Sequence, residues 1–304
     1  MPLAMALRFS IVVATLNRRD MLLSALDSIR AQNWPDVEII VVDGCSTDGT
    51  VEAIEHQEDI ILLRGPDAGV YDAFNKGIAA ASGDIIGILN SDDLYEPGSF
   101  EAVADVLAEN PDADAVCGSA VLESNGRIVA SFDNDRDKIL ESPHTTLSGS
   151  CILNARFFRR TAIVRNGPFD LFYKLVSDRD WLTRFYEARM RTVQISNLVY
   201  RYRQHSDSLT FDLAGKKRSA IYAELVALAH RWRTTESASN ETRHVAMLLE
   251  GRCRAQLALI ALRHARFGEA WRLLFISGAR FSFTPLASIL NAAVDHVGIK
   301  HGGR

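Results

Sequence analysis

Apolar positions along the first ninety residues come in two alternating rhythms. The runs FSIVVAT, VEIIVVD, DIILLR and DIIGILN are continuous and rich in Ile and Val, which predicts strands covered on both faces. Between the first two, RRDMLLSALDSIRAQ places Met21, Ala25, Ser28 and Ile29 near a 3.6-residue period and predicts a helix. GCSTDGTVEAIEHQ predicts a second helix capped by Asp48 or Thr50, and GPDAGVYDAFNKGIAAASG a third with Val70, Phe74 and Ile78 on one stripe. Strand and helix in alternation predict an α/β fold, a Rossmann-like, mostly parallel sheet with helices on both faces.

Beyond Asp93 the rhythm loosens into a helix, a strand and a hairpin turning at Asn125-Gly126. From about residue 213 the pattern is helical with no strand signal, and it predicts a long helix, a turn at Gly268 and a further helix. No second copy of this unit occurs at a fixed period, so a repeat array is not indicated. The expected division is a catalytic domain over 1–212 and a basic helical extension over 213–304.

Charge sharpens that division. The chain as a whole carries a net charge of −4, but residues 213–304 carry +8 and residues 1–212 carry −12. Arg252, Arg254, Arg263, Arg266, Arg272 and Arg280 lie among Leu, Ile, Phe and Trp, a composition that fits a packing layer or homo-oligomer contact as well as an anionic membrane surface. No nucleic-acid partner is expected. At 304 residues and 47% hydrophobic content the chain can bury a large core. Its four cysteines, Cys45, Cys117, Cys151 and Cys253, have none of the short spacings of a zinc site or disulfide framework, which fits a reducing cytoplasm. The apolar N-terminus reads as a first strand, not a leader, because its charges follow the apolar stretch. No run approaches the ~20 apolar residues of a membrane span. The expected location is the cytoplasm, with peripheral attachment at the inner face of the plasma membrane as the sharper reading of the basic tail.

The candidate chemistry lies where the strands stop. Thr15 and Asn17 follow the first strand, Asp43 ends the second, and Asn90, Asp92 and Asp93 follow the fourth. In an open α/β sheet such carboxyl ends converge on the ligand crevice. Neither the dinucleotide glycine fingerprint nor a phosphate-binding Gly-Lys-Ser/Thr loop occurs, so phosphates there need a metal or side chains. Asp92 and Asp93 are hard-oxygen ligands suited to Mg²⁺ or Mn²⁺.

The succession FSIVVATLN, EIIVVDGCSTDGT, GPDAGVYDAFNKGIAAASGDIIGILNSDD and NGPFDLFYKLVSDRDWLTRF resembles the inverting family 2 glycosyltransferases of the GT-A fold over residues 7–210, most nearly those that assemble bacterial surface polysaccharides. The resemblance implies a hexosyl-type transferase that moves a sugar from a nucleotide diphosphate sugar to a saccharide or lipid-linked saccharide acceptor. Thr15, Asn17, Asp43, Asp67 and Gly69 match the family's nucleotide-contacting positions, and Lys76 is a candidate for ribose or phosphate. The family's Asp-any-Asp metal motif falls on Asn90, Ser91 and Asp92, so the first carboxylate is here an amide. Asp92 becomes the metal ligand and Asp93 its neighbour at the nucleotide, while Asn90 is a candidate for the ribose. His205 matches a histidine that contacts metal or phosphate. Asp178 matches the general base, with Ser177 in place of the preceding acid and Asp180 as rival. Trp181 is read either as a sugar-stacking face or as core, and Arg159 and Arg160 either as phosphate or acceptor contacts or as surface charge. The competing readings are a sugar-phosphate nucleotidyltransferase and a non-catalytic nucleotide- or metal-binding scaffold.

Overall fold

A computed structural model of the chain describes residues 7–132, 142–149, 152–205 and 218–275. The predicted boundary at 212/213, Cys151 and Arg280 lie outside them. Two compact units are present: Met1–Thr146 with Ser150–Ser208, and Leu147–Gly149 with Leu209–Arg304.

The first unit is built on β1 (Phe9–Thr15), β2 (Val37–Asp43), β3 (Ile60–Arg64) and β4 (Ile85–Asn90). All four run parallel in the order β3-β2-β1-β4, with Phe9 level with both Val37 and Ile85. Because side chains alternate across the pleat, each strand feeds two cores. Phe9, Ile11 and Val13 of β1 meet α1 (Arg19–Arg30) and α3 (Ser99–Glu109) through Leu22, Leu26, Phe100 and Val103. Val12 and Ala14 face the opposite layer, where α2 (Val70–Ala80), α4 (Arg160–Asn166) and α5 (Ser177–Glu187) contribute Phe74, Ile163 and Phe185. The remaining strands are β5 (Leu94–Tyr95), β6 (Ala115–Ser124), β7 (Arg127–Phe132), β8 (Arg156–Arg159) and β9 (Thr192–Gln204). They extend the sheet beyond β4 as β8-β6-β9-β5, with β7 paired to β6. β8 is antiparallel to β4, and β9 is parallel to β6 but antiparallel to β5. This is the mixed continuation of a doubly wound sheet, and Asn125 and Gly126, both at positive φ, make the expected hairpin turn between β6 and β7.

The helix predicted at 50–56 is instead a series of turns. Ala53 and Glu55 donate to carbonyls four residues back, but Ile54 and Gln57 donate only three back. Val51 and Ile54 are buried, and Asp48 caps the segment by accepting from the Thr50 and Arg19 backbone N–H groups. The stretch ends before a nucleated helix can gain from propagation. Trp181 is core: it is buried, stacks on Phe169 and Phe185, and donates from Nε1 to the Gly167 carbonyl.

Gly77 records how closely α2 lies on β1, since a Cβ there would sit 2.3 Å from Val12 Cγ1. Gly77→Ala is expected to lower stability by about 1–3 kcal/mol through overpacking, read as a lower urea midpoint at unchanged slope.

The second unit contains α6 (Arg218–Thr234), α7 (Asn240–Arg263) and α8 (Phe267–Phe275), with α6 against α7 and α7 against α8. Ser239 caps α7 by accepting from the Thr242 N–H at 3.1 Å. Glu250 is buried between Arg233 and Arg254, both 2.8 Å away, so part of the tail's positive charge is spent internally. The turn after α7 falls at Ala265, not Gly268. Ala265 has φ 56°, and Arg266 and Ala265 donate to the Ala261 and Leu262 carbonyls, which closes the helix end and leaves Gly268 inside α8.

Candidate active site

Parallel register sets Thr15 level with Asp43, and Ala14 level with Asn90, so the three polar strand ends share one edge of the sheet. The loops beyond them are tied together. The Gly44 N–H donates to the Thr15 carbonyl, and the Ser91 N–H to the Ala14 carbonyl. Asn17, at φ 53°, accepts from the Thr47 N–H through its side-chain oxygen, while its own N–H donates to Ser46 Oγ. Asp43 Oδ2 accepts from the Cys45 and Ser46 N–H groups at 3.0 and 2.9 Å. Its Oδ1 is buried with no protein donor, as is Thr15 Oγ1. An acceptor held rigidly and left without a partner fits a ligand N–H, because leaving it unsatisfied costs free energy.

Asp67 lies against this loop: a Cβ on Gly44 would meet its Oδ2 at 2.6 Å. Asp67 Oδ1 accepts from the Gly69 N–H, and Gly69 at φ 118° turns the chain into α2. Lys76 reaches back along α2 to the Pro66 carbonyl at 2.7 Å and to Asp72 at 3.0 Å, which places its ammonium at this turn.

The adjacent acids after β4 face different partners. Asp93 is buried and accepts from the Tyr200 hydroxyl at 2.7 Å, the Arg203 N–H at 2.9 Å and the Asn90 amide at 3.0 Å. Burial, and then the neighbouring charge of Asp92, push its carboxyl up to about 7. Asp92 Oδ2 faces Arg18 Nη1 in an ion pair and His205 Nε2 at 2.9 Å. Arg203 Nε holds the Asp92 backbone carbonyl at 2.6 Å. Ser91 is buried between the two motif ends. Asn17, Arg18, Arg19, Asp48 and His205 line an open cavity of about 570 Å³ at this edge. Among the described residues no three His, Cys, Asp or Glu side chains form a closed cation cage. Asp92 and His205 are a convergent pair, which suits a Mg²⁺ or Mn²⁺ that completes its shell with substrate oxygens and water.

The third acidic position lies at the start of α5. Asp178 accepts from the Tyr71 hydroxyl of α2 at 2.9 Å. Part of its surface meets solvent, yet the carboxyl is closely surrounded by protein atoms, and that burial raises its pKa against the lowering effects of Arg179 and Tyr71. Asp180, two residues along and on another face of the helix, is fully buried and pairs with Arg184 at 3.0 Å, and Ser177 donates to the Asp170 carbonyl. Arg159 and Arg160 lie at the other edge of the sheet, where they donate to the carbonyls of Ala113, Leu107 and Gly83. Sequence reasoning passed over Arg18, Tyr71, Tyr200 and Arg203. The available signal was their spacing: Arg18 directly follows Asn17, and Tyr200, Arg203 and His205 crowd the end of one strand.

The sequence matches the model of Glycosyl transferase family 2 over residues 10–163, and the chain belongs to that family. A PGL/p-HBAD biosynthesis glycosyltransferase of Mycobacterium bovis is 36% identical over 183 residues, covering 58% of this chain and 68% of the relative. An uncharacterized glycosyltransferase, YibD, of Escherichia coli is 24% identical over 67% of this chain and 63% of its own. Among solved structures, S. aureus TarS 1-349 in complex with UDP-GlcNAc superposes with a TM-score of 0.59 at 19% identity, over 95% of this chain and 80% of that one. The mannosyltransferase PcManGT of Pyrobaculum calidifontis, solved with GDP-Man and Mn2+, superposes at 0.60 and 20% identity, over 98% and 89%. The fold is that of these GT-A enzymes, and the protein is a glycosyltransferase.

Proposed function

We propose that the chain is a divalent-metal-dependent, inverting glycosyltransferase that moves a sugar from a nucleotide diphosphate sugar to a hydroxyl of a saccharide or lipid-linked saccharide in cell-envelope polysaccharide or glycolipid synthesis. The observation that carries this reading is the contrast between two acids at one sheet edge. Asp92, itself buried, pairs through its carboxylate with His205 and Arg18, whereas Asp178 accepts from Tyr71 and is raised in pKa by burial.

Asp178 takes the proton of the acceptor hydroxyl as that oxygen attacks the anomeric carbon. Attack comes from the face opposite the leaving nucleotide, so the C–O bond to the diphosphate breaks and the configuration inverts. Asp92 and His205 would hold Mn²⁺ or Mg²⁺, which when bound would stabilise charge on the departing diphosphate. Asp43 Oδ1 accepts from the base, with Thr15 and Asn17 beside it, and Asp67, Gly69 and Lys76 shape the ribose and phosphate side. Asn90 keeps its amide on Asp93, so its share in ribose binding passes through its carbonyl oxygen.

A thermal-shift screen of nucleotide sugars with and without Mn²⁺, followed by release of free nucleoside diphosphate on adding acceptor, tests the assignment. Donor-dependent release is expected. Binding without release supports the scaffold reading, and pyrophosphate formation from a sugar phosphate and a nucleoside triphosphate supports the nucleotidyltransferase.

The helical unit supports an encounter with an anionic membrane. Phe267 and Trp271 are exposed one turn apart on α8, with Arg263, Arg266 and Arg272 close by in sequence. No helix among the described residues is long and apolar enough to cross a bilayer. The protein is expected to co-sediment with anionic liposomes at low salt and release at high salt. Equal behaviour with neutral liposomes overturns this attachment and favours a packing or homo-oligomer contact.

A further inference from the structure

Asp92 already holds a cation. Its Oδ2 pairs with the Arg18 guanidinium, and the same oxygen faces His205 Nε2 at 2.9 Å. The nearby charges do other work: Arg203 binds the backbone carbonyl of Asp92, and the Asp93 carboxylate accepts from Tyr200, Asn90 and the Arg203 N–H. A divalent ion shared by Asp92 and His205 sits roughly 2.0–2.2 Å from its ligands, in the space a guanidinium on the same oxygen fills. The two cations therefore exclude one another.

The local geometry allows an exchange. The Arg18 backbone is fixed, since its carbonyl accepts the Leu22 N–H at 2.8 Å at the start of α1. Its side chain is long and, although mostly covered, borders the open cavity between Asn17, Arg19 and His205. A guanidinium displaced from Asp92 has that cavity, which Asp20 and Asp48 also line, to swing through, and a diphosphate brought to Asp92 by the metal offers the planar bidentate partner that arginine binds well.

We propose that Arg18 is a resident counter-cation of the metal site: it holds Asp92 while no divalent ion is bound, yields the carboxylate to the ion, and then pairs with the donor's diphosphate. This rests on the metal-dependent reading given above. It makes metal and donor binding cooperative, because free metal must displace Arg18 whereas metal arriving with a diphosphate supplies Arg18 with a new partner.

The exchange gives one substitution two effects of opposite sign. Mn²⁺ alone is titrated into the full chain and followed by the electron paramagnetic resonance signal of the free ion. Arg18→Gln is expected to bind Mn²⁺ roughly tenfold tighter than wild type, because the competing cation is gone. With Mn²⁺ saturating, the same variant is expected to bind UDP or GDP, whichever binds wild type, roughly tenfold more weakly, with the parent nucleoside unaffected. Arg18→Lys, which keeps a cation, is expected to stay near wild type for Mn²⁺ alone, separating competition from a general loosening of the loop. Unchanged or weaker Mn²⁺ binding by Arg18→Gln, with Asp92→Asn abolishing binding in the wild-type background, overturns the exchange and leaves the metal site standing. If Asp92→Asn binds Mn²⁺ as wild type does, or no variant binds Mn²⁺ even with the nucleoside diphosphate present, the metal-dependent reading fails and takes this proposal with it.

Discussion

Asp178→Asn is expected to lower sugar transfer by about 10²–10⁴-fold while leaving donor affinity unchanged, the loss that follows removal of a positioned base. The substitution keeps shape and an oxygen that can accept from Tyr71, whose hydroxyl lies 2.9 Å from Asp178 Oδ1, so the effect falls on proton transfer. Asp180→Asn behaves differently. Asp180 is fully buried and holds Arg184, which keeps the Asn166 and Pro168 carbonyls as partners, so the expected change is a lower melting temperature rather than a loss of the base. The pH profile of kcat/KM supplies a further check. Burial raises the Asp178 carboxyl, so the base stays protonated, and inactive, to a higher pH than an ordinary aspartate. The acid limb should lie at higher pH than an ordinary aspartate would give. Tyr71→Phe removes a hydrogen bond to the ionised form and should move that limb further up, whereas Arg179 remains to oppose the shift. A larger loss of turnover in Asp180→Asn than in Asp178→Asn, at unchanged stability, would reassign the base.

The second large effect concerns nucleotide binding. Asp92→Ala is expected to abolish the Mn²⁺-dependent part of UDP or GDP affinity, measured by calorimetry with and without the metal. Asp92 is the acid whose carboxylate meets His205 at the sheet edge, and Asp93 is in no position to replace it, since its oxygens are bound by Tyr200, Asn90 and the Arg203 N–H. Affinity that is equally metal-dependent after the substitution would remove Asp92 from the metal site.

The two-sided sheet was legible because β1, β2 and β4 are continuous Ile and Val runs, and the polar residues that end them stand out against that background. Their meeting at one edge follows from parallel strands alone. Other features are set by distance, which a local pattern does not carry. Asp92 and Asp93 are indistinguishable in sequence, and it is Tyr200 and Arg203, more than a hundred residues later, that turn one of them inward. Tyr71 reads as an apolar helix position, and only the packing of α2 beside α5 gives its hydroxyl a carboxylate. The segment 50–56 has helical spacing but too little length, and Ala265 adopts the left-handed conformation that composition would assign to Gly268.

The placement of β9 also bears on how the molecule is made. Tyr200 and Arg203 lie on this last strand of the sheet and His205 directly follows it, and between them they organise both carboxylates after β4. A nascent chain emerging from the ribosome therefore presents the two adjacent acids long before the groups that orient them exist. Closing so long a loop is slow, because its entropy is lost before its contacts form. The parallel core around β1 to β4 can consolidate first, with the acid pair left at its solvent edge. Insertion of β9 is then the event that converts a folded scaffold into an ordered site, and catalytic competence arrives late in biosynthesis.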